Sequence, residues 1–224
     1  KHSKKYGSGE YVTWTDKEYH HLGLQRQYLV VKSFQRFTEI WSLLERSYNK
    51  GLFNNLPKNI IITALGGGPG FECYTWKMFF NKYLPNIKCN FLVLDLEDTW
   101  SEYVKLWGKE FKFFKWDIYK DDFYKTTQVT KTDFVIISNV LVMYMTNETS
   151  YNLFKSLLSN GTKGILINSR SKEIEAKKEL LKKGIYTTNL ISQDDDRQLI
   201  FSLQDYRKSI NDSKKIFPNV PFIK

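Results

Sequence analysis

Thiols are scarce in this chain, with Cys73 and Cys89 its only cysteines. Two are too few for a disulfide scaffold or a zinc site, so buried free thiols in a reducing, intracellular compartment are expected. No apolar run approaches the roughly 20 residues that a membrane-spanning helix needs, and no span is expected. Residues 1–9 are polar and lack the apolar stretch of a secretory signal. Internal repeats, low-complexity linkers and arginine-rich clusters are all missing. His2, His20 and His21 come without the Cys or Asp-His spacing of a metal centre, so surface or packing roles are expected and no metal site.

What is there suffices for one α/β domain: 224 residues, 42% hydrophobic and 16% aromatic. So many aromatics must serve the core, with stacking surfaces as a further use. The net charge of +10 concentrates at the ends, +5 over residues 1–58 and +4 over residues 207–224. Basic ends around a nearly neutral middle suit arms that meet an anionic partner, or ends that keep the chain soluble.

Hydrophobic periodicity sets the organisation. Leu24, Tyr28, Val31, Phe34, Phe37, Trp41, Leu44 and Tyr48 recur at steps of three and four, predicting one long amphipathic helix with those residues inward. Lys32, Arg36, Glu39, Glu45 and Arg46 fall on the outward face. Gly51 and Pro57 close this N-terminal helical extension, residues 1–58. Strands are then predicted over residues 59–65, 89–94, 111–114, 133–137 and 164–168. Helices are predicted over 71–83, 100–107 and 147–158, with another capped by Ser171 and ending before Gly184. Such alternation argues for a mostly parallel sheet with helices on both faces. The ending differs. Strand-like runs over 185–191 and 197–203 are too close together for a parallel crossover, so they predict an antiparallel hairpin. A core over residues 59–206 and a basic tail over 207–224 complete the expected division.

The sharpest signal is Gly66-Gly67-Gly68-Pro69-Gly70, between the first predicted strand and the next helix. Glycines let a backbone turn tightly and approach a ligand, and the helix that follows offers free N–H groups. The dinucleotide fingerprint would need a further glycine at position 71, where Phe71 stands, so NAD and FAD are disfavoured. The Lys-Ser/Thr of a phosphate-binding P-loop is absent as well.

On these residues the chain resembles the class I S-adenosylmethionine-dependent methyltransferases, whose Rossmann-like fold has a seven-stranded sheet ending in an antiparallel pair. The resemblance covers about residues 59–203 and implies S-adenosylmethionine as cofactor, cradled by Gly66, Gly67, Gly68, Pro69 and Gly70. It implies that Asp95, with Leu96 beside it, receives the ribose hydroxyls at the end of the second strand. Asp117 would receive the adenine amino group, between Trp116 and Ile118. Ser138 and Asn139 would lie at the rim where methyl transfer takes place. The family often carries an acid two residues before the first loop glycine. Here that position is Ala64, and Glu72 is expected to supply the carboxylate for the methionine ammonium group.

The acceptor leaves fewer traces. An Asn/Asp-Pro-Pro-Tyr motif, a Lys-Asp-Lys-Glu tetrad and a nucleophilic cysteine for pyrimidine methylation are all missing. No general base is identifiable, although Tyr144 and Asn139 lie near the predicted rim. Basic ends and abundant aromatics favour RNA as acceptor. A protein or small-molecule acceptor, and an inactive methyltransferase-like partner subunit, stay open.

Overall fold

β-Branched runs buried on both faces favour central parallel strands, and that is what they form. The computed structural model describes residues 16–169 and 174–203. In chain order these hold α1 (Asp16–Tyr19), α2 (Leu22–Asn49), β1 (Asn59–Leu65), α3 (Phe71–Tyr83), β2 (Lys88–Asp95), α4 (Ser101–Val104) and β3 (Phe111–Lys115). There follow α5 (Phe123–Thr127), β4 (Phe134–Ser138), α6 (Leu141–Tyr144), α7 (Glu148–Ser159), β5 (Gly164–Asn168), α8 (Ile174–Lys182), β6 (Ile185–Asn189) and β7 (Gln198–Leu203).

The strands make one seven-stranded sheet in the order β3-β2-β1-β4-β5-β7-β6. β1 to β5 pair with one another in parallel, and β7 runs antiparallel to both β5 and β6. The expected hairpin therefore forms, with its second strand inserted against β5. Strand order reverses between β1 and β4, so the loops leaving their carboxyl ends diverge and open a crevice.

Side chains alternate across each strand and feed two cores. Ile60, Ile62, Ala64, Phe134 and Ile136 face the cluster that includes Ile40, Leu43, Leu44, Trp76 and Phe79 of α2 and α3. Leu65, Val135, Ile137, Ile165 and Ile167 face the opposite cluster with Phe154, Leu157, Leu180 and Phe201. Much of the aromatic content is spent here. Phe53 meets Phe80 and Phe134 edge-on at 5.2 and 5.4 Å, and Trp41 meets Phe79 at 5.2 Å.

Two local expectations change. The predicted helix over 100–107 is broken: 3-10 turns at Asp98–Trp100 and Lys105–Trp107 flank the single turn of α4. The short helices α1, α5 and α6 carry too few residues to register as a period. The inward face of α2 is also rotated from the predicted one. Val31 and Phe34 are 53% and 78% exposed, whereas Arg36, placed outward by the pattern, is only 7% exposed. Only the second half of α2 lies on the apolar sheet face. Its first half crosses the polar carboxyl edge, where a different stripe points inward.

Ser171, the first fifteen residues and the tail over 207–224 lie outside the described residues. Among the described residues no helix is long and apolar enough to cross a membrane.

The corrected face of α2 can be checked by chemical denaturation. Leu43→Ala is expected to cost about 2–5 kcal/mol of stability, as for other buried leucines. Phe34→Ala should stay within about 0.5 kcal/mol of the wild type. A large loss at Phe34 would restore the face that periodicity predicts.

Candidate active site

The glycine turn sits on the crevice between β1 and β4. Gly66, Gly68 and Gly70 have φ of 64°, 48° and 83°, a region that L side chains seldom adopt. Gly67 is fixed by space instead: a Cβ there would stand 2.8 Å from the Ala64 Cβ and 2.9 Å from Val93 Cγ1. At Gly68 the nearest atom to a Cβ would be Trp100 at 3.8 Å, so backbone shape, rather than room, requires glycine.

Asp95 latches this turn. Its Oδ2 accepts the Gly68 N–H at 2.8 Å, and its Oδ1 accepts the Glu97 N–H at 3.0 Å. The Gly67 N–H donates to Leu94 O at 3.0 Å, and Trp107 Nε1 donates to Pro69 O at 2.7 Å. The first turn of α3 then delivers Glu72 into the protein at 6% exposure. No ion pair reaches its carboxylate among the described residues.

Burial raises both carboxyls. Glu72 is pushed from its usual 4.5 to about 7 by desolvation, against its own backbone N–H and the Arg36 charge, with Asp95 and Glu39 adding to the rise. Asp95 is pushed to about 6 by desolvation, which outweighs the N–H groups of Glu97 and Gly68. Tyr19 of α1 faces Tyr28, Tyr144, Asp95 and Arg36, and burial holds its phenol well above the usual range.

Other expected residues take distinct places. Ser138 is buried and its Oγ accepts Asn139 Nδ2 at 2.9 Å. Asn139 holds a positive φ of 61°, with its N–H donating to Asn168 O at 2.7 Å. Trp116 and Ile118 are buried in the second core, next to β2 through the Trp116 N–H bond to Asp95 O at 2.8 Å. Asp117 caps its own loop, accepting the Tyr119 N–H at 2.9 Å and pairing with Lys120 at 3.0 Å. Leu96 is exposed. The glycine turn, Glu72, Asp95, Ser138 and Asn139 thus gather at one crevice, with Leu96, Asp117 and Ile118 on its β2–β3 flank.

Sequence reasoning missed the contribution of α2. Arg36 pairs with Glu39 at 2.8 Å and hydrogen-bonds Tyr28. Glu39 is held in turn by Gln35 at 2.7 Å, Asn168 at 3.2 Å and Asn139 at 3.4 Å. Gln198 Nε2 donates to Glu39 O and Asn168 Oδ1, both at 3.1 Å, and takes Arg46 NH1 at 2.5 Å on its own Oε1. A signal existed: continuing the stripe of Leu43 and Ile40 back by one turn reaches Arg36. α1 and the start of α2 are tied to the loop after β2 through His20–Glu97 at 3.0 Å and Gln25–Thr99 at 2.5 Å. His20, Glu97 and Asp98 bring ligand atoms within 4.8 Å of one another. Glu97 already caps Thr99, however, and Asp98 pairs with Lys115 at 3.1 Å.

The sheet order, the antiparallel end and a glycine turn latched to the acid that ends β2 decide the architecture. The fold is that of the class I S-adenosylmethionine-dependent methyltransferases. By sequence, no family model and no curated relative matches the chain. By structure it is similar to a TehB-like SAM-dependent methyltransferase from Corynebacterium glutamicum, at 13% identity and a TM-score of 0.52, over 82% of this chain and 100% of that one. It is similar to the plantazolicin methyltransferase BpumL in complex with SAH, at 14% identity and 0.51, over 83% and 91% of the two chains. The citrinin polyketide synthase CMeT domain aligns at 15% identity and 0.53 over 73% of this chain, which spans only 52% of that one.

The raised carboxyls have a measurable sign. A carboxyl raised on folding contributes stability that is present at low pH and lost as pH rises through the folded value. For Glu72 that window runs from 4.5 to about 7. The melting temperature of ligand-free wild type, minus that of Glu72→Gln, should therefore decline across this window. A flat difference would refute the raised value.

Proposed function

We propose that the chain is an S-adenosylmethionine-dependent methyltransferase that binds its methyl donor on the Gly66–Gly70 turn. The observation that carries this reading is the turn itself: glycines required by left-handed backbone or by lack of room for a Cβ, latched by Asp95 and followed by a buried carboxylate with no ion pair. The chemistry of these carboxylates suits the cofactor. Each oxygen of Asp95 keeps a lone pair beside the one that its backbone N–H occupies, enough to accept ribose hydroxyls. Glu72 has the charge and burial for an ammonium group. Leu96, Asp117 and Ile118 flank the space for an adenine, and Ser138 and Asn139 border the acceptor rim.

When bound, S-adenosylmethionine supplies an electrophilic methyl group. The protein has to orient the acceptor toward that carbon and keep water out. For the acceptor, RNA is supported by the basic ends, which suit a polyanion. A protein or small-molecule acceptor is the second reading. It is favoured by α2, whose Glu39 is bonded across the carboxyl edge to Asn139 and Asn168 and so lies beside the proposed acceptor rim. A partner protein is compatible with either.

Calorimetric titration with S-adenosylmethionine, S-adenosylhomocysteine and NAD tests the first step. Micromolar binding of both sulfur compounds, without binding of NAD, is expected. Absence of binding would overturn the enzymatic reading in favour of an inactive partner subunit. Asp95→Ala should abolish cofactor binding while the circular dichroism spectrum stays native, and unchanged affinity would remove its ribose role. Deleting residues 207–224 should weaken RNA retention at low salt and leave cofactor affinity intact. Equal retention with and without the tail would remove the charge argument for RNA.

A further inference from the structure

We propose that Arg36 and Glu72 form a clamp for the amino-acid end of the cofactor, the guanidinium taking the carboxylate and Glu72 the ammonium group. The proposal rests on the methyltransferase reading above and assigns a binding role to the N-terminal extension. A buried guanidinium is costly unless its charge is met and its donors are used. Arg36 is 7% exposed, and its protein partners are Glu39 at 2.8 Å and the Tyr28 hydroxyl. A guanidinium has five N–H donors in a planar fork, so these two partners leave donors for a further acceptor such as a carboxylate.

Glu72 presents the complementary need. It is buried at the start of α3, close enough to Arg36 for each charge to act on the other, yet the two are not paired. The local count is one guanidinium against the carboxyls of Glu39, Glu72 and Asp95. A simple anion would worsen that balance, and a simple cation would leave the guanidinium fork unused. A ligand with an ammonium and a carboxylate on one carbon answers both groups at once. The clamp is also held in place beforehand. Gln35, Asn139 and Asn168 all donate to Glu39, which fixes the side that Arg36 leans on. Little ordering is then left for the moment of binding.

Two probes separate a clamp from a merely structural arginine. S-adenosylhomocysteine carries the amino-acid end, and methylthioadenosine has the same nucleoside and sulfur without it. Calorimetry on the full chain should find Arg36→Met weakened at least ~30-fold for S-adenosylhomocysteine, the scale of losing one partner of a buried charge pair. Methylthioadenosine affinity should change less than about threefold, because its contacts lie elsewhere. Glu72→Gln should shift the same ratio in the same direction, and Arg36→Lys, which keeps the charge but not the fork, should shift it less. Equal weakening of both probes, or of neither, overturns the clamp while leaving the cofactor reading intact. Failure of the wild type to bind either probe removes the cofactor reading and the clamp with it. Should Arg36→Met fail to melt cooperatively, Arg36→Lys and Glu72→Gln decide the matter by the same ratio.

Discussion

The Asp95 carboxylate is the tie on which the site depends. One oxygen holds the Gly68 N–H of the turn after β1, and the other holds the Glu97 N–H of the loop after β2. Two strand exits are thereby fixed to each other by a single side chain. The Gly68 N–H finds its acceptor in this carboxylate, and left unpaired in this enclosure it would cost about 1–3 kcal/mol. The direction in which the turn leaves also sets where α3 begins, and so where Glu72 enters the protein. Burial raises Asp95 to about 6, a sign that its enclosure, more than its two N–H partners, governs its charge.

α2 joins two environments along one helix. Its later residues, Ile40, Leu43 and Leu44, are fully buried against the sheet and α3. One turn earlier the same face presents Arg36 and Glu39 to the carboxyl edge, where the sheet offers Asn139, Asn168 and Gln198 in place of apolar side chains. The continuity is physical. A helix that starts at the strand ends and finishes over the sheet must pass from a region of loop amides to one of aliphatic groups. The burial of Arg36 and the exposure of Phe34 are two sides of that passage.

Much of this architecture was legible in the sequence. The runs at Asn59–Leu65 and Gly164–Asn168 became strands with the expected ends, since β-branched residues bounded by Gly and Pro leave few alternatives. The hairpin of β6 and β7 followed from the short stretch between them. The glycine turn was recognisable because three of its positions require left-handed backbone. Periodicity failed in two ways. It read Trp100–Trp107 as one helix, though 3-10 turns flank a single α-helical turn there. It also weighed Val31 and Phe34 as inward because they are apolar, without knowing that the edge beneath them is polar.

The sequence by itself determined the alternation of strands and helices, the glycine turn and the acid that follows the second strand. Those features depend on local backbone preference and on periods of two and about 3.6 residues, which neighbouring residues carry. Only the tertiary structure decided that β7 lies between β5 and β6, and that Arg36 rather than Phe34 is enclosed. It alone brought Glu39, Asn139, Asn168 and Gln198, up to 159 residues apart, into one network. These outcomes depend on which surfaces meet, and a helix cannot record in its own spacing whether the edge it crosses is apolar or polar.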